Sequence, residues 1–139
     1  MAVIGLQYDK ILLERKEPLS GKVSVNNNTK LTKVEKTEVR GRDAMKFSFV
    51  FKVSYLKHLD GDKTEEVASI TFDGFANVVA SAEIIKEEAE RWKKENKVSN
   101  ELMDGVLNQI LERCNIASLM IAREASLPSP VSFPRVKTK

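Results

Sequence analysis

The chain has 139 residues, a formal net charge of +3 and 31% charged residues, which is typical of one soluble globular domain rather than a disordered chain. Its single cysteine, Cys114, and single histidine, His58, exclude an intramolecular disulfide, a cysteine-based zinc site and most histidine-based metal sites. We therefore expect a protein that is not an enzyme and that uses no metal and no cofactor. No uncharged stretch approaches the ~18 residues of a membrane span. Residues 1–13 do not have the pattern of a secretory signal, so we expect a cytoplasmic protein.

Four strands are predicted in the first half of the chain, where apolar and polar residues alternate. The first covers residues 2–15 and ends before Pro18 and Gly21. The second is a long, irregular strand over residues 22–40, followed by a turn at residues 41–43. The face of the first strand that we expect to be buried contains Ile4, Leu6, Tyr8 and Leu12.

The third and fourth predicted strands carry the strongest alternation. The third covers residues 45–56 and the fourth about residues 66–79, with the turn Asp60-Gly61-Asp62 between them, so we expect a hairpin. Gly74 predicts a bulge or a bend in the fourth strand, because Phe75 follows it on the opposite parity from the buried residues. The buried face of the third strand contains six apolar residues, namely Met45, Phe47, Phe49, Phe51, Val53 and Tyr55.

Helical spacing replaces alternation after residue 81. A shorter helix is predicted over residues 82–96 with Ser81 as its N-cap, and a longer helix over residues 100–126, which Pro128 ends. An extended tail over residues 127–139 follows. Since no helix separates the strands, we expect one α+β domain over residues 1–139. Its core would be a four-stranded antiparallel meander sheet followed by a short helix and a long C-terminal helix.

The long helix carries more apolar surface than one small sheet can cover. At 1.5 Å per residue it would be ~40 Å long, whereas four strands span ~20 Å. Its apolar residues also occupy more than one face. We therefore expect a second partner surface on it, formed by another copy of the chain, by a bound polypeptide, or by both.

The remaining features of the sequence favour binding over catalysis. Cys114 lies on the apolar stripe of the long helix, where we expect a buried, inert thiol. Residues 30–46 contain six Lys and Arg, but three acidic residues are interleaved with them and no aromatic residues alternate with them. This basic strand leaves a nucleic-acid or ribonucleoprotein accessory protein as an alternative function. The phenylalanines could line a cavity, so a small-ligand-binding protein is the third alternative function.

Several short motifs accompany this order of elements. The first strand contains Tyr8-Asp9-Lys10-Ile11, the second alternates at Val23 and Val25, the fourth contains Phe72-Asp73-Gly74-Phe75, and the tail contains Pro130-Val131-Ser132-Phe133. In this order, over nearly the whole chain, they resemble motifs of the SecB-type protein-export chaperones.

That resemblance implies an ATP-independent chaperone, or holdase, that binds unfolded polypeptides or preproteins in long hydrophobic grooves and works as a homotetramer, a dimer of dimers. On the matching positions the groove would include Val23, Val25 and Phe75, with Val78 and Met120 as further apolar candidates. The chain departs from the family in its net charge of +3. Because the family's translocation motor docks on an acidic sheet face, we expect a general holdase, or a chaperone that guards an antitoxin, rather than a partner of that motor.

Overall fold

A computed structural model describes residues 2–131 of the chain. They form four strands and then two helices: β1 Ala2–Arg15, β2 Val23–Val39, β3 Arg42–His58, β4 Thr64–Val79, α1 Ala82–Glu95 and α2 Asn100–Glu124. The predicted α+β arrangement, a four-stranded antiparallel sheet followed by a shorter and a longer helix, is confirmed. Most of the predicted tail, residues 132–139, lies outside the described residues.

The order of the strands in the sheet is β1-β4-β3-β2. The predicted meander holds for β2, β3 and β4 but needs a correction at β1, which pairs with β4 rather than with β2. The connection between β1 and β2, residues 16–22, is too long for a tight hairpin. Extended, it reaches ~23 Å, which exceeds the ~14 Å across three strand spacings. The chain can therefore cross the end of the sheet in a Greek-key connection.

The two central strands supply most of the core. The six predicted apolar residues of β3 are fully buried, and register places Phe51 opposite Phe72 of β4. Both helices pack on the face that carries Phe51, with α1 over β2 and β3, and α2 over β4, β1 and β3. We call this face the helix side of the sheet. The opposite face, which carries Lys46 and Phe75, is called the open side.

β1 departs from simple alternation because its pairing with β4 shifts register at two places. Leu6 and Tyr8 lie on the helix side, as predicted. The prediction is wrong for Ile4, which falls within the first shift, and for Leu12, which the second shift turns to the open side. This second shift lies opposite Gly74, so the irregularity predicted at Gly74 occurs in the neighbouring strand.

Both helices begin where the sequence predicts. Ser81 caps α1, since its Oγ accepts a hydrogen bond from a first-turn backbone N–H at 3.4 Å. α2 ends at Glu124, slightly before the predicted end, because Ser126 adopts a φ of 57° and the N–H of Leu127 donates to the carbonyl of Ala122 at 2.8 Å. Among residues 2–131, no helix is long and apolar enough to cross a membrane.

Candidate functional site

The residues predicted for a polypeptide groove are distributed over both faces of the sheet. Val23 and Val25 are half-buried on the helix side of β2, the strand at one edge. Phe75 lies on the open side, and the Nζ atom of Lys46 is 4.4 Å from the centroid of its ring. A single chain therefore does not bring the β2 valines and Phe75 onto one surface.

The other two predicted groove residues differ in their exposure. Val78 is 1% exposed and faces the helices, opposite Met45 of β3. A bound polypeptide could contact it only if the fold opened. Met120 is 65% exposed on α2, which makes it the candidate that presents a large apolar surface to solvent.

Three further large apolar residues are exposed on the helix side of β1 or on α2, and strand alternation alone did not predict two of them. Ile11 and Leu13 are 48% and 37% exposed on the helix side of β1, where the register shift after Tyr8 places them. Ile116 is 56% exposed and precedes Met120 by one helical turn, so the two side chains share a face of α2.

These residues lie on two adjacent elements, because α2 runs alongside β1. Near the start of β1, Gly5 lines the same hollow as Arg113 of α2. At the end of β1, the guanidinium group of Arg15 donates a hydrogen bond to the carbonyl of Ala125. The segments between these two contacts therefore lie side by side. We call the exposed apolar residues that they carry the β1–α2 strip: Ile11, Leu13, Ile116 and Met120.

The strip borders an open strand edge. β1 pairs with β4 on one side and with no other strand among residues 2–131. Its outward N–H and C=O groups can therefore pair with an added strand. The sequence Lys10-Ile11-Leu12-Leu13-Glu14 places three consecutive apolar residues on this edge. Backbone pairing groups and exposed apolar side chains thus occur together, which is what an extended polypeptide needs for binding.

The interior beneath the strip is chemically inert. Cys114 is fully buried, and burial raises the pKa of its thiol to about 11. Burial also raises the pKa of the neighbouring Tyr8 to about 12. Both groups are therefore protonated and uncharged at neutral pH. Within residues 2–131, no cluster of three or more His, Cys, Asp or Glu side chains is arranged to hold a metal ion.

Most of the basic residues of β2 and β3 lie on one face of the sheet. Lys30, Lys33, Arg42 and Lys46 lie on the open side, whereas Lys36 pairs with a core position and faces the helix side. Lys33 also forms an ion pair with Glu35 and lowers the pKa of that carboxyl group by hydrogen bonding. Glu35 lies opposite Lys46 on the same face, so an acidic side chain interrupts the basic track to which a nucleic acid would bind.

Comparison with known proteins gives no further guidance, since no protein-family model and no curated protein matches the chain. The resemblance to SecB-type chaperones remains an expectation based on short motifs. The exposed apolar surface is therefore the feature of the chain that bears on its function.

Proposed function

We propose that the chain is an ATP-independent holdase that binds unfolded polypeptides through the β1–α2 strip and the adjoining β1 edge. The observation that carries this proposal is the presence of four exposed apolar side chains on two adjacent elements, one of which is a strand with an unpaired edge. Monomeric soluble proteins rarely leave such surfaces without a partner. Binding by burial of apolar area needs neither a nucleotide nor a catalytic group.

The two parts of the surface have different roles in the proposal. An extended segment adds to β1 through backbone hydrogen bonds, which do not depend on the segment's sequence. Its apolar side chains then pack against the strip, at roughly 25 cal/mol per Å² of apolar area before the cost of ordering the segment. Met120 has a flexible, unbranched side chain that adapts to residues of different shape. Such a surface would bind many sequences weakly.

The proposal includes self-association of the chain into the homotetramer that the SecB-type resemblance implies. An edge strand with exposed apolar residues pairs readily with a second copy, and a two-fold axis would place two β1 strands antiparallel. We also propose a cytoplasmic location, which suits a protein that keeps its cysteine as a free thiol.

Suppression of aggregation tests the holdase directly. A chemically denatured enzyme is diluted into buffer with and without the chain, and light scattering is followed with time. We expect a stoichiometric dose to suppress the scattering. The variant Ile116→Gln/Met120→Gln should suppress it at least several-fold less, because it loses apolar area from the strip while both new residues remain good helix formers.

Leu59→Gln is the matched control, since Leu59 is an exposed apolar residue that lies outside the strip. This variant should behave like the wild type. Sedimentation of all three proteins is measured in parallel, and we expect the wild type to be heavier than a single chain of 15.6 kDa. A wild type that leaves the scattering unchanged would rule out the holdase, and equal suppression by all three proteins would rule out the strip as its surface.

A further inference from the structure

A hollow of about 440 Å³ lies on the open side of the sheet, beside the turn that joins β2 and β3. Ligand sites in proteins commonly measure ~300–1,000 Å³. Apolar, amide and cationic side chains contribute to its lining, including Ile4, Val79, Gln7, Asn77, Arg40 and Arg42. A second hollow shares three of these residues and continues the surface as far as Ser81.

The positive charge of this hollow is not neutralised by its surroundings. Arg40 and Gly41 form a two-residue turn with φ values of 52° and 75°, which is typical of a type I′ hairpin. The nearest acidic residues in sequence, Glu38 and Asp43, pair with each other one position along the strands. Because side chains alternate, they point to the helix side, whereas Arg42 points to the open side.

No ion pair joins either arginine to another residue between 2 and 131. The lining of the hollow also contains no carboxylate. Lys46 also lies on the open side, opposite Asn77 in the β3–β4 register, but Glu35 lies opposite it in the β2–β3 register and offsets its charge. This end of the sheet therefore presents cationic groups next to apolar ones.

We propose that the hollow binds an acidic, aliphatic-rich segment of a partner protein. Carboxylates of that segment contact the guanidinium groups of Arg40 and Arg42, which form paired hydrogen bonds with carboxylates. An aliphatic side chain of the segment packs against Ile4 and Val79. The amide groups of Gln7 and Asn77 can both donate to and accept from its backbone. The site lies on the opposite face from the β1–α2 strip, so it does not depend on the holdase function.

The character of the hollow favours a peptide over a free anion. Both arginines are exposed, and salt screens an exposed ion pair so strongly that a single one contributes little affinity. Measurable affinity therefore requires several carboxylates and apolar contacts on one ligand. A nucleic acid is disfavoured because the lining contains no aromatic side chain for base stacking. The nearby ring of Phe75 is already covered by Lys46.

Fluorescence anisotropy with a labelled peptide of alternating Glu and Leu tests the proposal. The variant Arg40→Asn/Arg42→Gln removes both charges from the hollow, and Asn tolerates the left-handed backbone at position 40. Lys86→Gln/Lys97→Gln removes two exposed charges from the helical part of the chain and serves as the matched control. We expect the arginine variant to bind the peptide about tenfold more weakly and the lysine variant to bind like the wild type.

Four results would overturn the proposal. The first is absence of peptide binding by the wild type. The second is an equal loss of affinity in both variants, which would show that the peptide responds to the net charge of the protein and not to the two arginines. The third is equal binding of a matched peptide of alternating Lys and Leu, which would indicate apolar contact without charge recognition. The fourth is tighter, Arg-dependent binding of a single-stranded oligonucleotide of the same net charge, which would identify nucleic acid as the ligand. Circular dichroism of each variant confirms that it is folded.

Discussion

At the scale of single residues, Gly74 allows β1 to approach β4. A Cβ atom at this position would lie 2.2 Å from the carbonyl oxygen of Gln7 and 3.1 Å from the Phe49 ring, so no side chain fits there. We expect Gly74→Ala to lower the free energy of unfolding by about 1–3 kcal/mol, because β1 must move away from β4 or the core must shift. Urea denaturation measures this change.

Gly105 has free space around it, unlike Gly74, so its substitution by alanine is the control for Gly74→Ala. It lies within α2, and a Cβ atom there would meet nothing within 4 Å. Gly105→Ala should raise the free energy of unfolding by about 0.5–1 kcal/mol, since alanine favours the helical backbone. If both variants changed stability in the same direction, the close approach at Gly74 would not explain the result.

At the scale of elements, Glu88 joins the two helices. Its side chain is buried, its Oε2 accepts a hydrogen bond from the N–H of Ser99 at 2.8 Å, and its Oε1 accepts one from Arg91 at 3.3 Å. It thereby satisfies a backbone donor at the start of α2. We expect Glu88→Ala to lower the free energy of unfolding by about 1–3 kcal/mol, because that donor and the guanidinium group lose their partner.

Glu87→Ala is the matched control for Glu88. Glu87 pairs with the same arginine at 3.7 Å, but its side chain is 69% exposed. Exposed ion pairs at this helical spacing contribute ~0.3–0.5 kcal/mol to the free energy of unfolding. The free energy of unfolding of Glu87→Ala, measured by heat or urea, should therefore change little. A loss of stability in Glu87→Ala as large as that in Glu88→Ala would show that the bond to Ser99 is unimportant.

At the scale of the whole molecule, buried ionisable groups determine how stability responds to alkaline pH. Burial raises the pKa of Cys114 from 9.0 to about 11 and that of Tyr55 from 10.0 to about 12. The folded state therefore holds these protons more tightly than the unfolded state does. Their contribution to the free energy of unfolding is complete below pH 9 and is lost as the pH rises from 9 through about 12.

Denaturant titrations on both sides of pH 9 test this expectation. Tyr55→Phe should be less stable than the wild type at neutral pH, because the Tyr55 hydroxyl donates a hydrogen bond to the carbonyl of Pro128 at 2.7 Å. Its stability should fall less steeply with alkaline pH, since one buried ionisable group is gone. If the free energy of unfolding of Tyr55→Phe fell as steeply with rising pH as that of the wild type, Tyr55 would not contribute to the alkaline loss of stability.

The core of the fold was predictable from sequence because the signals there are local. The β3 stripe follows strict alternation, and the caps at Ser81 and near Pro128 depend on neighbouring residues only. The candidate site was less predictable, since it depends on how distant segments meet. Ile11 and Leu13 could not be assigned to the helix side, because nothing in β1 alone indicates the register shift after Tyr8.

The amino-acid sequence by itself determined the number, type and order of the elements, the buried face of β3 and the scarcity of reactive side chains. Periodicity and capping act over a few residues, so they can be read without knowing the fold. Only the tertiary structure decided that β1 joins β4, that Val78 is buried and that Phe75 faces away from the helices. It also decided which apolar residues meet on the β1–α2 strip and which cations meet in the hollow. Strand pairing between distant segments sets these features, since the connection between β1 and β2 is long enough to permit either neighbour.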